Sequence, residues 1–358
     1  MFSPGRLILL LSALVAAVAL AGCGGSSDTT GGSSNNSGSA AASTHSSSSA
    51  KGAQLALVAY STPQKAYAAL IPAFESTAAG KNVTFTESFG ASGAQSRAVA
   101  AGQPADVVAF STAPDVTRLV KAGLVSASWD ANPENGIVAD SVVVLVVRKG
   151  NPDRISGWDD LIKPGIKVIT PNPSTSGSAR WNILAAYGAE LKEGKSPSQA
   201  LAFVKTLLTK NVVDQPTSAS GALQTFTGGE GNVLLDYESD AIAAERAGED
   251  IQYIVPKQTI LIQTPIAIIA KSSHATQAQA FVNWLWTPAA QTIWAQQGYR
   301  PVLSSVLAKF SSTFPTPPQL FTINSLGGWT AVDKTFFDPA TGSITKIEQA
   351  AGVPTASS

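Results

Sequence analysis

Three short segments combine glycine with small or hydroxyl-bearing residues at points where a predicted helix begins. Small residues let backbone N–H groups approach a ligand closely, and the first N–H groups of a helix have no partner inside that helix. No Asp or Glu occurs in 90–97, 174–180 or 217–224. Donors without acceptors predict a site for an anion held by neutral groups. The segments are GASGAQ with Ser92, STSGSAR with Ser176, Gly177 and Ser178, and TSASGA with Ala219.

Any one of these segments has a simpler explanation, because many loops in α/β proteins contain Gly and Ser only in order to turn. Ligands of α/β sheets bind beyond the carboxyl ends of strands, where loops lead into helices. Three segments of one chemistry, drawn from both halves of the chain, therefore favour an anion held between two parts of the protein.

Two other kinds of site are disfavoured. A hydrolase could use Ser92 or Ser176 as nucleophile, but neither lies in a G-x-S-x-G elbow. His274 is the only histidine in the predicted folded part, and it lies at a predicted helix start. The motifs show no His or carboxylate cluster of the kind that a metal site needs. We therefore predict neither catalysis nor a metal, and no cofactor.

The N-terminus predicts export and anchoring. Residues 1–22 contain Arg6, an apolar run and small residues, which is typical of a secretory signal. The sequence LAGC resembles the bacterial lipobox, which implies diacylation of Cys23; the alternative is an ordinary signal with an incidental cysteine. Residues 23–52, which include His45, are rich in Ser and Gly and predict a flexible tether. We expect an extracytoplasmic protein that is lipid-anchored to the outer face of the cell membrane.

Charge and cysteine content argue against nucleic-acid binding and against an intrachain disulfide. The chain has 358 residues, with 24 basic and 24 acidic side chains. Nucleic-acid binding is not expected, because the basic residues form no cluster. The single cysteine excludes a disulfide within the chain.

Apolar strands alternate with helical segments from Leu55 onward, which predicts an α/β fold with mainly parallel sheets flanked by helices. Thr62 and Pro63 predict a helix start, with Thr62 as N-cap and Pro63 as first helical residue. Long apolar strands at 141–150 and 259–270 bracket a second α/β set. We predict one lobe from 53–140 plus 263–358 and another from 141–262, joined by two hinge crossovers. One continuous sheet is the alternative.

The chain from Leu55 to Ile347 also resembles a known family. The segments that carry the resemblance are GASGAQSRAVAAGQPADVV, VITPNPSTSGSARWNILAAYG, GYRPV and FTINSLGGW. They resemble the sulfate- and thiosulfate-binding proteins of bacterial ABC importers, in the lipoprotein branch typical of actinobacteria. The resemblance implies a two-lobe periplasmic-binding-protein-like fold of type II that closes over sulfate. It also implies an ABC permease as partner, and we expect a monomer.

The resemblance assigns a role to individual residues. Arg180 matches a family arginine and is expected to support a loop peptide from behind or to form a surface salt bridge. The implied sulfate ligands are Ser92, Ser176, Gly177, Ser178, Ala219, Tyr237 and, at the rim, Ser61.

This chain departs from the family pattern at four of the matched positions. Ser178 replaces a glycine, so its turn must suit a residue with a Cβ. Tyr237 stands where relatives have a tryptophan donor. Ser61 and Ser220 stand where many relatives have Asp and Arg.

Sulfate fits the donor pattern because it carries two charges at neutral pH and has no proton to donate. Asp236 and Glu238 flank Tyr237, and strand alternation is expected to turn them to the opposite face. The sequence therefore predicts a sulfate receptor, with thiosulfate, molybdate or phosphate as alternative ligands.

Overall fold

The computed structural model describes residues 52–355, which belong to one compact unit. The predicted signal at 1–22, Cys23 and almost all of the tether lie outside these residues. Within 52–355, no helix is both long enough and apolar enough to cross a bilayer.

Strands and helices alternate through the chain. The first half contains β1 (Ala53–Tyr60), α1 (Gln64–Glu75), β2 (Val83–Gly90), α2 (Ser92–Ala100), β3 (Val107–Ala109), α3 (Ala113–Lys121), β4 (Ile137–Arg148), β5 (Val168–Ile169) and α4 (Gly177–Lys192). Next come α5 (Pro197–Thr206), β6 (Val212–Asp214), α6 (Ala219–Thr227), β7 (Val233–Tyr237), α7 (Glu238–Arg246), β8 (Ile251–Ile254) and β9 (Gln258–Ile268). The last elements are α8 (Ala275–Leu285), α9 (Pro288–Gln296), α10 (Ser304–Leu307), β10 (Gln319–Phe321), α11 (Gly328–Val332) and α12 (Ser343–Ala350).

The strands form a mixed sheet in the order β2-β1-β3-β9-β4-β7-β5-β6, with β8 beside β4 and β10 beside β9. Strand β1 is parallel to β2 and β3, and β5 is parallel to β6 and β7. The antiparallel pairs all involve β4 or β9. Two parallel groups are therefore joined through two long strands.

Each long strand changes partners along its length. Strand β4 pairs with β9 through Ile137–Val142 and with β7 through Val143–Val147. Strand β9 pairs with β4 through Leu261–Pro265 and with β3 through Ile266–Ile268. The two predicted crossovers thus correspond to β4 and β9. Hydrogen bonds between neighbouring strands nevertheless link all the strands into one sheet, as the one-sheet alternative predicts. The lobe boundaries stay a prediction.

Strand β4 is buried on both faces, which explains its unbroken apolar sequence. Val142, Val144 and Val146 pack into a cluster with Phe226 of α6. Their alternating neighbours from 143 to 147 pack with Trp181 of α4 in another cluster. A third cluster surrounds Tyr67, Phe74, Phe281 and Trp294.

Two local predictions are wrong by one or two residues. Helix α1 begins at Gln64 with Pro63 as its N-cap, and no side chain caps it, so Thr62 does not cap this helix. Strand β7 ends at Tyr237, and Glu238 opens α7 instead of extending the strand. The backbone of Pro63 has a ψ of 11°, outside the helical range, so Pro63 precedes α1 instead of beginning it. Glu238 suits a strand end and a helix start equally well.

Candidate anion-binding site

Ser111, on the loop between β3 and α3, contacts three of the four elements that carry the candidate residues, namely α2, α4 and β7. Its backbone N–H donates to Ser92 Oγ at 2.9 Å, and its carbonyl accepts from Trp181 Nε1 of α4 at 2.8 Å. Its hydroxyl lies 2.7 Å from the Tyr237 hydroxyl at the end of β7. The sequence reasoning missed Ser111. Ser111 and Thr112 follow a strand as the other candidate segments do, but no glycine stands beside them, so they lack the pattern that marks those segments.

Gly177, the first residue of α4, lies against the same loop. A Cβ added to it would lie 2.6 Å from Ser111 Oγ and 2.8 Å from Thr112 Cγ2. Only glycine fits at this distance. Ser178 takes ordinary helical backbone, and therefore its Cβ fits where relatives have glycine. Its hydroxyl is buried and has no hydrogen-bond partner within residues 52–355.

The three predicted segments are hydrogen-bonded to one another. The N–H of Gly93 donates to the carbonyl of Thr175 at 3.0 Å. The hydroxyl of Thr175 donates to the carbonyl of Thr217 at 2.7 Å. Ser218 caps α6, whose first residue is the buried Ala219. The structure thus brings together loops that lie far apart in the sequence.

Four N–H groups at the starts of α2, α4 and α6 are free to bind a ligand. Within residues 52–355, none of them donates to a backbone or side-chain acceptor. Ser176, the N-cap residue of α4, makes no side-chain capping bond, so its hydroxyl is also available. Each helix start adds a partial positive charge. We call these groups, with two further hydroxyls, the donor cluster: the N–H groups of Ser92, Gly177, Ser178 and Ala219, and the hydroxyls of Ser111, Ser176 and Tyr237.

The Ser92 side chain is already occupied. Its hydroxyl donates to Asp115 Oδ2 at 2.6 Å, which leaves the backbone N–H as its free donor. Asp115 also accepts from Thr112 Oγ1 at 3.0 Å and from Arg118 Nη1 at 2.8 Å. The three segments themselves lack carboxylates, and the fold adds Asp115 from outside them. Asp115 lies 23 residues along the chain and reaches Ser92 only through the fold.

Tyr237 is fully buried, and burial raises the pKa of its phenol, so the group stays protonated and can donate. Of the two flanking carboxylates, Glu238 is fully paired, whereas Asp236 Oδ2 is buried without a hydrogen-bond partner within residues 52–355. Asp236 Oδ1 accepts from the Tyr237 N–H at 2.9 Å. Glu238 is held by Arg300, with Nε to Oε2 at 2.7 Å and Nη2 to Oε1 at 3.0 Å.

Ser61 and Ser220 line one pocket of about 220 Å³, together with Ser239, Asp240 and Tyr299. Burial raises the pKa of the Asp240 carboxyl to about 7. Ser220 directly follows Ala219, so this pocket adjoins the donor cluster. Ser61 therefore shares a pocket with the residue that follows Ala219, and its role as a ligand stays a prediction.

Arg180 supports the loop that leads into α4. Its Nε donates to the carbonyl of Pro173 at 3.1 Å, and its Nη1 contacts Asp333 Oδ1 at 3.1 Å. Both predicted roles, the support of a peptide and the salt bridge, are present in the structure.

The geometry gives no support to a serine hydrolase. The hydroxyl proton of Ser92 goes to Asp115, and His274 lies at the start of α8 with its Nδ1 3.4 Å from Asp106 Oδ1. Ser176 has no histidine partner within residues 52–355.

Comparison with known proteins identifies the family. The model of the bacterial extracellular solute-binding protein family matches residues 55–300. The chain belongs to this family. The sulfate-binding protein of Synechococcus elongatus is 40% identical over 311 residues, which are 84% of this chain and 88% of that protein. The sulfate-binding protein of Escherichia coli is 37% identical, over 80% of this chain and 91% of that protein. Such relatives are named as binding proteins, and this solute-binding protein is accordingly not an enzyme.

Solved structures agree with the predicted fold. The sulfate-binding protein SubI from Mycobacterium tuberculosis superposes with a TM-score of 0.78 at 48% identity, over 80% of this chain and 100% of that chain. A periplasmic thiamin-binding protein superposes with a TM-score of 0.64 at 17% identity, over 83% of this chain and 96% of that chain, which supports the fold alone. The prediction of a periplasmic-binding-protein-like α/β fold with two lobes is confirmed.

Proposed function

We propose that this solute-binding protein captures sulfate outside the cytoplasm and delivers it to an ABC importer. The observation that carries the proposal is the donor cluster, in which free N–H groups from three helix starts lie beside buried hydroxyls. A sulfate dianion offers four acceptor oxygens to such a set. Hydrogen bonds to a charged group contribute about 1.5–3 kcal/mol each, so several together offset the loss of hydration. The similarity to proteins named sulfate-binding supports the same conclusion.

The arrangement of acceptors favours sulfate over hydrogen phosphate. A protonated phosphate needs an acceptor for its own O–H group. Asp115 is the carboxylate in contact with Ser92, and its oxygens are occupied by Ser92, Thr112 and Arg118. A ligand with no proton to donate therefore fits best.

Thiosulfate is the second candidate, because it too is a dianion with no proton to donate near neutral pH. The thiosulfate-binding protein of Pseudomonas aeruginosa is 35% identical over 78% of this chain and 88% of that protein. The molybdate-binding protein ModA of Mycobacterium bovis is more distant, at 26% identity.

Calorimetry on the purified full-length chain tests this function. We expect tight binding of one sulfate, with phosphate much weaker. Gly177→Asp should abolish sulfate binding, since it places both a clashing side chain and a carboxylate against the dianion. Phosphate binding as tight as sulfate binding would contradict the proposal.

We further propose two lobes that close over sulfate, 53–140 plus 263–358 and 141–262. Support comes from the origin of the donors, since Ser92 and Ser111 belong to the first segment and Gly177, Ala219 and Tyr237 to the second. Small-angle scattering should show a smaller radius of gyration with sulfate. An unchanged radius would count against closure.

Finally, we propose that the protein is a lipoprotein held on the outer face of the membrane through Cys23 and working as a monomer. The support is the LAGC sequence after a short apolar run at 1–22 and the polar tether at 23–52. Cys23→Ala should release the protein or leave an unprocessed precursor. A mature-sized variant that still fractionates with membranes would exclude the anchor.

A further inference from the structure

A second pocket, of about 210 Å³, contains no donor-cluster residue in its lining and is lined by three arginines. Arg97 comes from α2, Arg118 from α3 and Arg180 from α4. Pro173 and Ser174, on the loop before α4, line the same pocket. Three arginines from three helices thus line one space.

The three arginines differ in how their charge is compensated. Arg118 pairs with Asp115 at 2.8 Å, and Arg180 pairs with Asp333 at 3.1 Å. Within residues 52–355, Arg97 has no carboxylate within 4.0 Å.

The guanidinium of Arg97 also lacks good hydrogen-bond partners. Its Nη1 makes one long contact of 3.5 Å with the carbonyl of Ser174. Its Nη2 is buried and has no partner in the described part of the chain. Burial and the nearby charge of Arg118 lower the pKa of Arg97. A buried guanidinium nitrogen without an acceptor is a costly arrangement that a bound anion would relieve.

One carboxylate also lines this pocket. Glu348 of α12 is buried, and its Oε2 accepts from Gln215 at 2.9 Å. Burial raises the pKa of Glu348, which makes its charged form less favourable. Asp115 and Asp333 balance their own arginine partners. Arg97 therefore remains the group whose charge lacks a close partner.

We propose that this arginine pocket, formed by Arg97, Arg118 and Arg180, binds a second small tetrahedral oxyanion. Guanidinium groups present paired N–H donors that match the oxygens of sulfate or phosphate. Unlike the donor cluster, this pocket uses charged donors, so it should accept an anion whether or not that anion carries a proton. Sulfate and phosphate should both bind, and binding should weaken as salt is added.

An anion in the arginine pocket would lie between two helices that carry sulfate donors. Arg97 lies on the helix that begins at Ser92, and Arg180 lies on the helix that begins at Gly177. The Gly93–Thr175 hydrogen bond joins the same two helix starts. An anion held by both arginines would tie these helices together and hold two parts of the donor cluster in place.

Calorimetry with inorganic phosphate on the full-length chain at low ionic strength tests the proposal. Phosphate is the better probe because the donor cluster is expected to reject it, and the Arg97 variant shows whether the phosphate that binds lies in the arginine pocket. We expect one weak, salt-sensitive site, and Arg97→Gln should weaken it at least tenfold.

The matched control is Arg154→Gln, which removes the same charge from an exposed loop after β4. It should leave phosphate binding unchanged. The proposal is overturned if the wild-type chain binds no phosphate up to millimolar concentration. It is also overturned if the Arg97 and Arg154 variants bind phosphate equally well.

Discussion

Ser111 and Tyr237 share one hydrogen bond at 2.7 Å, and either hydroxyl can be its donor. In this pair one O–H is used internally and the other remains for a ligand. Tyr237→Phe should therefore weaken sulfate binding by only about 1 kcal/mol, because the Ser111 hydroxyl can then turn to the ligand. The double variant Tyr237→Phe/Ser111→Ala should lose about 2–3 kcal/mol, the scale for removing a donor to a charged group.

A double-mutant cycle by calorimetry measures this coupling. If the two single losses add up to the double loss, the hydroxyls act independently. If neither the Tyr237→Phe variant nor the double variant changes sulfate affinity, then neither residue binds sulfate. Tyr237→Trp provides a further comparison, and we expect it to retain binding if the indole fits.

Gly177 tolerates no side chain, because a Cβ would lie 2.6 Å from Ser111 Oγ. Gly177→Ala must displace Ser111 and thereby the hydroxyl pair with Tyr237. We expect sulfate affinity to fall at least tenfold, or by about 1.4 kcal/mol. Gly157→Ala is the control, since a Cβ there meets no atom within 4 Å. Equal sulfate affinity in the two variants would show that the start of α4 takes no part in binding sulfate.

The residues found by sequence reasoning share one local signature. Gly177 and Ala219 each stand in a small-residue segment at a helix start, and both prove to be first residues of helices. Ser111 and Asp115 could not be assigned in this way. Their contacts with Ser92 and Tyr237 depend on how β3 and α3 pack against other elements, which no local pattern encodes.

At the scale of elements, α7 is fixed at its first residue by a buried ion pair. Glu238 and Arg300 are 0% and 4% exposed. Glu238→Gln leaves the Arg300 charge buried without its counter-ion and should cost about 3–5 kcal/mol of unfolding free energy. Sulfate affinity should fall as well, because Tyr237 directly precedes Glu238.

Urea unfolding measures the stability change, and Asp250→Asn is its control. Asp250 forms an exposed pair with Lys149 at 3.7 Å, so its loss should change stability by less than about 1 kcal/mol. A similar loss in both variants would mean that the buried pair contributes no more than an exposed one.

Elements were easier to predict than their arrangement. The apolar sequence of β4 identified a buried strand, since both of its faces are covered. The position of β9 between β3 and β4 could not be predicted, because strand order depends on long-range pairing. The end of β7 at Tyr237 was also missed, since Glu238 suits a strand end and a helix start equally well.

At the scale of the whole molecule, buried carboxyl groups should set the pH dependence of stability. Burial raises the pKa of Asp140 and of Asp240 from 3.8 to about 7. Between these values the folded state binds more protons than the unfolded state, so the free energy of unfolding falls as pH rises. Stability is therefore expected to be lower at pH 8 than at pH 5 by a few kcal/mol.

Urea unfolding at pH 5 and pH 8 tests this expectation. Asp140→Asn should reduce the difference, because a neutral amide has no proton to lose in this range. Asp250→Asn, at an exposed position, should retain the wild-type difference. A wild-type chain that is equally stable at both pH values would contradict the raised pKa of these groups.

The place of β9 in the sheet has a consequence for synthesis. It separates β3 from β4, yet it is the ninth strand to leave the ribosome. Until Ile268 has been made, β3 and β4 each lack the neighbour that completes them, and the contacts that join them span a long stretch of sequence. We therefore expect the two parallel groups on either side of β9 to join only late in synthesis.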